Sequence, residues 1–206
     1  MPELPEVETV RRTLEGLALR GAVERVYRSR LDLRTGAHWR RSLERVRVLE
    51  GMAPGPLGRR GKYLLWTFLG SERQEVLLVH LGMSGQMLVA RVGAPDHTHL
   101  RVRATLDDGN ELRFVDQRTF GGWHLDDYVD AGEELPGDSG ALPRSIAHIA
   151  PDPFDPAFDR DDVVRRMRGK HTEVKRALLD QSLVSGVGNI YADEALWRAR
   201  LNGTRV

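Results

Sequence analysis

The chain has 206 residues, no cysteine, 40% hydrophobic residues and a net charge of +1. That length is enough for a sizeable core, in one large or two small domains. The lack of cysteine excludes disulfides and cysteine-ligated metal within these residues. No apolar run reaches about 18 residues, and the acidic start lacks the blocks of a secretory signal, so we expect a cytoplasmic protein without a membrane span.

The charges are unevenly distributed along the chain. Residues 1–125 hold 20 Lys and Arg against 15 Asp and Glu, residues 126–162 hold 2 against 11, and residues 163–206 hold 9 against 4. The three segments therefore carry net charges of +5, −9 and +5. Two basic bodies joined by an acidic connector suit a polyanionic partner, although ordinary solvated surfaces give the same pattern.

Lysine is rare among the cations. Of the 31 Lys and Arg residues, 28 are arginine and only Lys62, Lys170 and Lys175 are lysine. Lysine can release its proton, whereas arginine stays charged, and lysine offers a compact charge to phosphate. The three lysines are therefore the first candidates for proton transfer or phosphate contact.

The first predicted element is an amphipathic helix over residues 5–17. Pro5 suits a first helical turn, and the apolar residues that follow recur at spacings of three and four. These residues are Val7, Val10, Leu14 and Leu17. The helix leaves Pro2 and Glu3 without an explanation.

Short β-rich runs follow the helix, separated by glycine-rich breaks. They are "GAVERVYRSRL" at 21–31, "RVRVLEGMAP" at 45–54, "KYLLWTFL" at 62–69, "EVLLVHLGMSGQMLVARV" at 75–92 and "HLRVRATLDDGNELRFVD" at 99–116. Within the last run, "LDDGNEL" has the composition of a hairpin turn. The pattern predicts antiparallel sheets that form a sandwich with a helix across it.

The pattern changes after residue 130. Residues 130–160 are rich in Pro, Gly and Asp without periodicity, which predicts a linker. Helical patterns return in "DDVVRRMRGK" from Asp161, "EVKRALLDQSL" and "NIYADEALWRARL", the last two joined by the tight turn "VSGVGN". Exposed amides of such a turn and of a helix N-terminus bind phosphate readily, although glycine also ends helices for structural reasons alone.

The N-terminal Pro2 carries a possible chemistry of its own. Removal of Met1 would leave a secondary amine, and an α-amine titrates near ~8, so a useful fraction is an unprotonated nucleophile. Its attack on a sugar carbon would give an iminium, with Glu3 as general acid if burial keeps it protonated. The alternative is an ordinary polar N-terminus.

Five stretches of the chain form a set: "MPELPEVE" at the start, "RRGKYLL" around Lys62, "HLGMSGQ" at 80–86, "DQRTFGGW" at 116–123 and "LLDQSLVSGVGNIYADEALW" at 178–197. Together, and in this order, they resemble formamidopyrimidine-DNA glycosylase. The leucine of "PELPE" and the "DQRTFGGW" stretch fit this branch better than the related endonuclease VIII branch, which typically begins PEGPE.

The resemblance implies an α+β fold of two domains. We expect an N-terminal antiparallel β-sandwich with a flanking helix at 1–130 and a linker at 131–160. An all-α helix-two-turns-helix DNA-binding domain should follow at 161–206.

The resemblance also implies a bifunctional glycosylase and abasic-site lyase. Pro2 would attack the anomeric carbon of an oxidised purine nucleotide, such as 8-oxoguanine or a formamidopyrimidine, and form a Schiff base. Glu3 would be the acid, Lys62 the proton donor in the β-elimination that cuts the strand, and Glu6 a further acid of the site. A δ-elimination would follow.

Glycosylases flip the damaged nucleotide out of the duplex, which leaves a void in the base stack. Met83, Arg118 and Phe120 match the side chains that the family inserts there, with Arg118 bonding the orphaned base. Core packing is the alternative for Met83 and Phe120. The glycines beside them favour exposed loop tips.

Four further residues match positions that contact DNA phosphates in the family. They are His97, Lys170, Lys175 and Asn189. Their expected task is to grip the damaged strand without reading its sequence. His99 lies close enough to His97 in sequence that a short loop difference would exchange the two.

The chain departs from the family in its cysteines. A full-length member is expected to hold one structural zinc on four cysteines of a C-terminal finger, so we expect no metal and no cofactor in this chain. We expect the chain to be a fragment of a longer protein, and true loss of the finger is the alternative. The expected partner is double-stranded DNA with an oxidised purine or an abasic site, bound by a monomer. A noncatalytic damage-binding module and an endonuclease VIII-type glycosylase for oxidised pyrimidines stay open.

Overall fold

The computed structural model describes residues 2–28, 45–130 and 141–206. These residues divide into two compact units. Of the described residues, the first unit takes 2, 7–28, 45–59 and 63–127, and the second takes 3–6, 60–62, 128–130 and 141–206. Two short segments from the N-terminal half of the sequence therefore belong to the second unit.

The predicted first helix is present as α1 (Leu4–Gly16). Val7 and Leu14 are buried and Val10 packs against the same core, as the spacing predicts. Leu17 does not follow the prediction, because it is 49% exposed. The helix ends before it, and the Leu17 N–H donates to the Leu14 carbonyl in a turn that redirects the chain.

Ten strands occur within the described ranges. In chain order they are β1 (Val23–Arg28), β2 (Ala53–Arg60), β3 (Tyr63–Leu69), β4 (Gln74–His80), β5 (Gln86–Arg91), β6 (Leu100–Leu106), β7 (Asn110–Val115), β8 (Gly122–Asp126), β9 (Tyr128–Asp130) and β10 (Ala141–Pro143). One four-stranded sheet has the order β1-β6-β7-β5, a second has β2-β3-β4-β8, and β9 pairs with β10. The pairs β1-β6, β6-β7, β5-β7, β3-β4, β4-β8 and β9-β10 are antiparallel.

The core of the first unit lies between side chains of its two sheets. In β3 every second residue is buried, and Leu64, Trp66 and Phe68 join one cluster with Leu112 and Phe114 of β7. Period-two burial is what a strand produces when only one face meets the core. The predicted antiparallel sandwich with a flanking helix is therefore confirmed.

The two local predictions within the β-rich region differ in outcome. The hairpin at "LDDGNEL" is confirmed, since β6 and β7 pair around a turn in which Gly109 has a left-handed φ of +79°. The predicted β-rich run at 45–54 is wrong in its first half. Arg47–Leu49 forms a 3-10 helix, because Val46 and Leu49, three residues apart, are both buried. Residues 29–31 of the predicted run at 21–31 lie outside the described residues.

The second unit contains the three predicted C-terminal helices. They are α2 (Arg160–Arg168), α3 (Val174–Leu179) and α4 (Asn189–Ala199). Asp159 caps α2 by accepting from the Asp161 and Asp162 N–H groups. A further 3-10 helix spans Arg144–Ile146.

Residues 141–160 of the predicted linker at 131–160 belong to this unit. Its residues 131–140 lie outside the described ranges. No described helix is long and apolar enough to cross a bilayer.

Candidate functional site

Glu3 occupies the N-terminus of helix α4 in the second unit. Its side chain is buried, with 2% of its surface exposed. One carboxylate oxygen accepts from the Gly188 N–H at 2.8 Å and the Tyr191 N–H at 3.2 Å, and the other accepts from the Ile190 N–H at 2.9 Å. The first N–H groups of a helix lack partners within the helix and attract negative charge. Glu3 satisfies these groups, and both of its oxygens act as acceptors.

The glycines of "VSGVGN" make this approach possible. A Cβ on Gly188 would lie 2.4 Å from the Glu3 carboxyl carbon, and one on Gly186 would lie 2.8 Å from the Leu4 Cβ. The Leu4 N–H also donates to the Gly186 carbonyl at 3.0 Å. The turn was expected to offer its amides to phosphate. The structure corrects this for the N–H groups of Gly188, Ile190 and Tyr191, which Glu3 already occupies.

Glu6 lies one helical turn further along α1 and is exposed. It accepts from the Glu3 N–H at 3.0 Å, which is one half of a capping box at the start of the helix. It also accepts from the Tyr191 hydroxyl at 3.2 Å. Desolvation, followed by the charge of Glu6, raises the pKa of Tyr191, so this hydroxyl keeps its proton and donates. The residue pattern around Tyr191 did not predict this contact.

Pro2 is partly buried and is covalently joined to Glu3. Its neighbour is fixed at two points, because the Glu3 N–H bonds to Glu6 and the Glu3 carboxylate is held by α4. An amine on Pro2 would therefore lie one residue from a carboxylate whose position is set by helix α4, which is more than 180 residues later in the sequence.

Lys62 belongs to the same unit as Glu3 and is partly buried. Burial lowers its pKa from the usual 10.5, while the charge of Glu3 acts in the opposite direction. A lysine with a lowered pKa exchanges its proton closer to neutral pH than an exposed lysine does. The charge of Glu3 therefore acts on Lys62 and offsets part of the effect of burial on the pKa of this lysine.

The turn before Lys62 is anchored by residues that follow strand β10. Gly61 has a left-handed φ of +54°, and its N–H donates to Asp152, which is fully buried, at 3.1 Å. Arg60 is 5% exposed and donates to the Ile149 carbonyl at 2.9 Å and to Asp155 at 2.7 Å. The aspartates lie in the segment whose composition predicted a linker, so this anchoring was not predictable from the residue pattern.

Met83, Arg118 and Phe120 lie on two loops of the first unit. We call these the paired loops and define them as residues 81–85 and 117–121. Met83 is 40% exposed and Phe120 is 62% exposed, as the flanking glycines predict, and Arg118 lies over the Phe120 ring at 5.6 Å. Exposed apolar side chains at loop tips have the chemistry of wedges between bases.

Lys170 and Lys175 each form an ion pair in the second unit. Lys170 bonds to Asp180 at 2.8 Å, and Lys175 bonds to Asp193 at 2.6 Å. The hydrogen bond from Lys170, followed by that from Ser182, lowers the pKa of Asp180 from 3.8 to about 2. Both lysines therefore face acidic partners that lie 10 or more positions away in the sequence.

Asn189 and His97 are both exposed. Asn189 is the first residue of α4, and His97 lies in the connection between β5 and β6, where its carbonyl accepts from the Leu100 N–H. Among the residues that the structure describes, no group of three or more His, Cys, Asp or Glu could hold a metal ion. With no cysteine in the sequence, the donor set does not fit a four-cysteine zinc centre.

Family comparisons match most of the chain. The model for the formamidopyrimidine-DNA glycosylase N-terminal domain matches residues 1–123, and the model for the H2TH domain of the same glycosylase matches residues 149–206. The formamidopyrimidine-DNA glycosylase of Mycobacteroides abscessus is 53% identical over 210 residues, covering all of this chain and 69% of the relative. That of Rhodococcus jostii is 53% identical, covering all of this chain and 68% of the relative.

Solved structures agree with the sequence matches. A structure of MutM in complex with DNA that contains carbocyclic 8-oxo-G has a TM-score of 0.76 at 29% identity, covering 99% of this chain and 71% of that one. A complex of Lactococcus lactis Fpg with DNA that contains an abasic site has a TM-score of 0.76 at 29% identity, covering 98% and 69%.

Proposed function

Because the chain belongs to the formamidopyrimidine-DNA glycosylase family, we propose that it is a base-excision repair enzyme that removes oxidised purines such as 8-oxoguanine and formamidopyrimidines and then cuts the DNA strand. The observation that carries this proposal is the fixed carboxylate of Glu3, one residue from Pro2 and in electrostatic contact with Lys62. DNA with 8-oxo-G or an abasic site in the related structures supports the same substrate class.

The first step is attack on the sugar by Pro2. Once Met1 is removed, the neutral secondary amine forms a bond to C1′ of the damaged nucleotide, and the bond from C1′ to the base breaks with its electron pair going to the base. Glu3, poised as an acceptor, takes the proton released from the Pro2 nitrogen and delivers it to the ring oxygen as the sugar opens. The product is an iminium between Pro2 and C1′, together with the base anion, which takes a proton from water.

The second step is elimination from that iminium. The iminium makes the C2′ proton acidic, and water takes it. The electron pair left at C2′ forms the C2′–C3′ double bond, and the bond from C3′ to the phosphate oxygen breaks, which cuts the strand. Lys62 donates a proton to the departing phosphate oxygen, and its lowered pKa suits such a transfer. Glu6 supports the site by holding the Glu3 N–H and the Tyr191 hydroxyl. A δ-elimination would release the remaining sugar.

DNA recognition is assigned to solvent-accessible residues of both units. Met83 and Phe120 fill the void left by the flipped nucleotide, and Arg118 bonds the orphaned base. Backbone phosphates are held by His97, Lys170, Lys175 and Asn189. The two lysines must exchange their carboxylate partners for phosphate, which adds a repulsive contribution from Asp180 and Asp193 close to the DNA.

The remaining assignments follow from the same family membership. We infer a cytoplasmic monomer that binds duplex DNA, with a sandwich domain at 1–130, a linker at 131–160 and a helix-two-turns-helix domain at 161–206. The structural zinc of a full-length member would need ligands other than those of this chain, so no step above passes through a metal.

Borohydride trapping tests the proposal. The chain is incubated with a duplex that carries one 8-oxoguanine opposite cytosine, intact mass verifies removal of Met1, and peptide mass locates the adduct. We expect an adduct on Pro2 and its loss in Pro2→Gly. A Pro2→Gly protein that cuts the duplex at the full rate would refute the mechanism.

The same assay separates the two other functions. DNA retention without any adduct or cleavage would identify a noncatalytic binding module. Faster release from a thymine glycol duplex than from an 8-oxoguanine duplex would identify the pyrimidine specificity of endonuclease VIII.

A further inference from the structure

Asp116 lies at the end of strand β7, between the paired loops. Its side chain is fully buried. One oxygen accepts from the Ser84 hydroxyl at 2.6 Å and from the Arg118 N–H at 3.2 Å, while the other accepts from the Gly121 N–H at 2.8 Å. One carboxylate thus bonds both to the loop that carries Met83 and to the loop that carries Arg118 and Phe120.

The Ser84 side chain links the paired loops a second time. Its hydroxyl donates to Asp116 and its oxygen accepts from the Arg118 N–H at 3.1 Å. The three groups form a closed ring of hydrogen bonds. Buried polar groups need hydrogen-bond partners. Loss of one member of the ring would therefore leave a buried donor or acceptor of the others without a partner.

The backbones of the paired loops are also in direct contact. Gly82 has a left-handed φ of +61°, and a Cβ there would lie 2.4 Å from the Gly121 nitrogen. A Cβ on Gly121 would lie 2.6 Å from the His80 carbonyl oxygen. Neither position has room for a side chain, so the loops cannot shift independently without breaking this contact.

We propose that Asp116 is a positioning residue that makes the paired loops one rigid body, so that Met83, Arg118 and Phe120 enter the DNA together. The inference rests on the proposed function of these three side chains. Flipping a nucleotide requires that the void be filled as the base leaves. If one carboxylate holds all three side chains in register, the free protein already has the inserting geometry, and no ordering is needed on contact with DNA.

The substitution Asp116→Asn tests this with little change in shape. Asparagine has one oxygen and one NH₂ group, so it cannot accept from Ser84 and Arg118 on one side and from Gly121 on the other. A matched control is Glu111→Gln at the other end of β7. Glu111 is also buried, and it pairs with Arg113 and Arg103, which lie outside the paired loops.

Two substrates separate positioning from general stability. Base release from an 8-oxoguanine duplex requires a base to be displaced, whereas cleavage of a duplex with a preformed abasic site does not. We expect Asp116→Asn to slow base release on the order of 10- to 100-fold and cleavage of the abasic duplex by less than about threefold. Glu111→Gln should lower the unfolding midpoint while keeping the wild-type ratio of the two rates.

Ser84→Ala keeps the test valid if Asp116→Asn fails to fold. It removes one member of the ring and should reduce base release selectively, by a smaller factor than Asp116→Asn. The inference is overturned if the folded variants slow both substrates equally, or if neither variant changes base release. Inactivity of the wild-type chain on both substrates would instead refute the proposed function itself.

Discussion

The two units each contain a buried carboxylate that accepts hydrogen bonds from three groups. Glu3 in the second unit accepts from three N–H groups, two of them within the first turn of a helix. Asp116 in the first unit accepts from a hydroxyl and two N–H groups on two loops. In the first case the held carboxylate is itself the group that we propose to react. In the second, the carboxylate is buried, and the exposed side chains of the loops are the ones that we propose to enter the DNA.

The comparison shows that one arrangement, a buried carboxylate with three hydrogen-bond donors, can either fix the carboxylate or fix the segments that donate to it. A buried carboxylate with several N–H donors is well satisfied and hard to displace. When the donors belong to one rigid helix, the arrangement fixes the carboxylate. When the donors belong to two separate loops, the same arrangement fixes the loops. Substitutions at the two sites should therefore fail in different steps of the reaction.

Glu3→Gln should have the largest effect. The amide NH₂ would face at least one N–H donor of α4, and the side chain could no longer relay a proton. We expect base release to fall by about 10²- to 10⁴-fold, the range that acid–base groups contribute. Single-turnover rates on an 8-oxoguanine duplex measure this. Unlike Asp116→Asn, the variant should also form less borohydride adduct on an abasic duplex, and a normal adduct yield would separate Glu3 from the chemistry.

Gly188→Ala should have the next largest effect, because its Cβ would displace the Glu3 carboxylate. A displacement of this kind costs on the order of 10- to 100-fold in rate. The matched control is Gly16→Ala at the end of α1, where a Cβ meets nothing within 4 Å. The control should keep full activity and gain about 0.5–1 kcal/mol of unfolding free energy. Equal activity of both variants in the trapping assay would contradict the role of the close approach.

Lys62→Arg should slow strand cleavage by about tenfold or more while changing base release less, because arginine stays protonated. Burial lowers the pKa of Lys62, so the ammonium form that donates the proton is lost at a pH below the usual 10.5. Cleavage of an abasic duplex should therefore decline with rising pH in the wild type, through that lowered pKa. The arginine variant should show no such decline. A parallel loss of both steps would give Lys62 a positioning role instead.

Ser185→Ala should have the smallest effect, and it should stabilise the protein instead of slowing a step of the reaction. The Ser185 side chain is fully buried, and its hydroxyl makes no hydrogen bond to the described residues. Removing an unsatisfied buried hydroxyl should raise the unfolding free energy by about 1 kcal/mol. Urea unfolding at neutral pH measures the change. A loss of stability would show that an ordered water satisfies this hydroxyl.

The sequence predicted the elements whose signal is local. Helix α1 follows from the spacing of Val7, Val10 and Leu14, and the β6-β7 hairpin follows from its turn residues. The 3-10 helix at Arg47–Leu49 was missed, since alternation of Val46 and Val48 with arginines also suits a strand. A run of five residues does not distinguish the two without knowledge of what packs against it.

The contacts that place the candidate site were not predictable in the same way. Asp152 was hidden in a segment rich in Pro and Asp, and Asp116 was one letter within a family motif. Their partners, Gly61 and the paired loops, are set by tertiary packing that leaves no periodic pattern in the sequence. The acidic partners of Lys170 and Lys175 were missed for the same reason, because a pair 10 or more residues apart is not on one helix face.

The bond from the Gly188 N–H to Glu3 joins residues 185 positions apart. During synthesis at roughly 5–20 residues per second, about 10–40 seconds separate the appearance of the two partners. Throughout that interval the chain has its N-terminal amine but lacks the helix that orders the adjacent carboxylate. In the proposed mechanism, the carboxylate that transfers the proton is therefore fixed only after Met83, Arg118 and Phe120 have been synthesised.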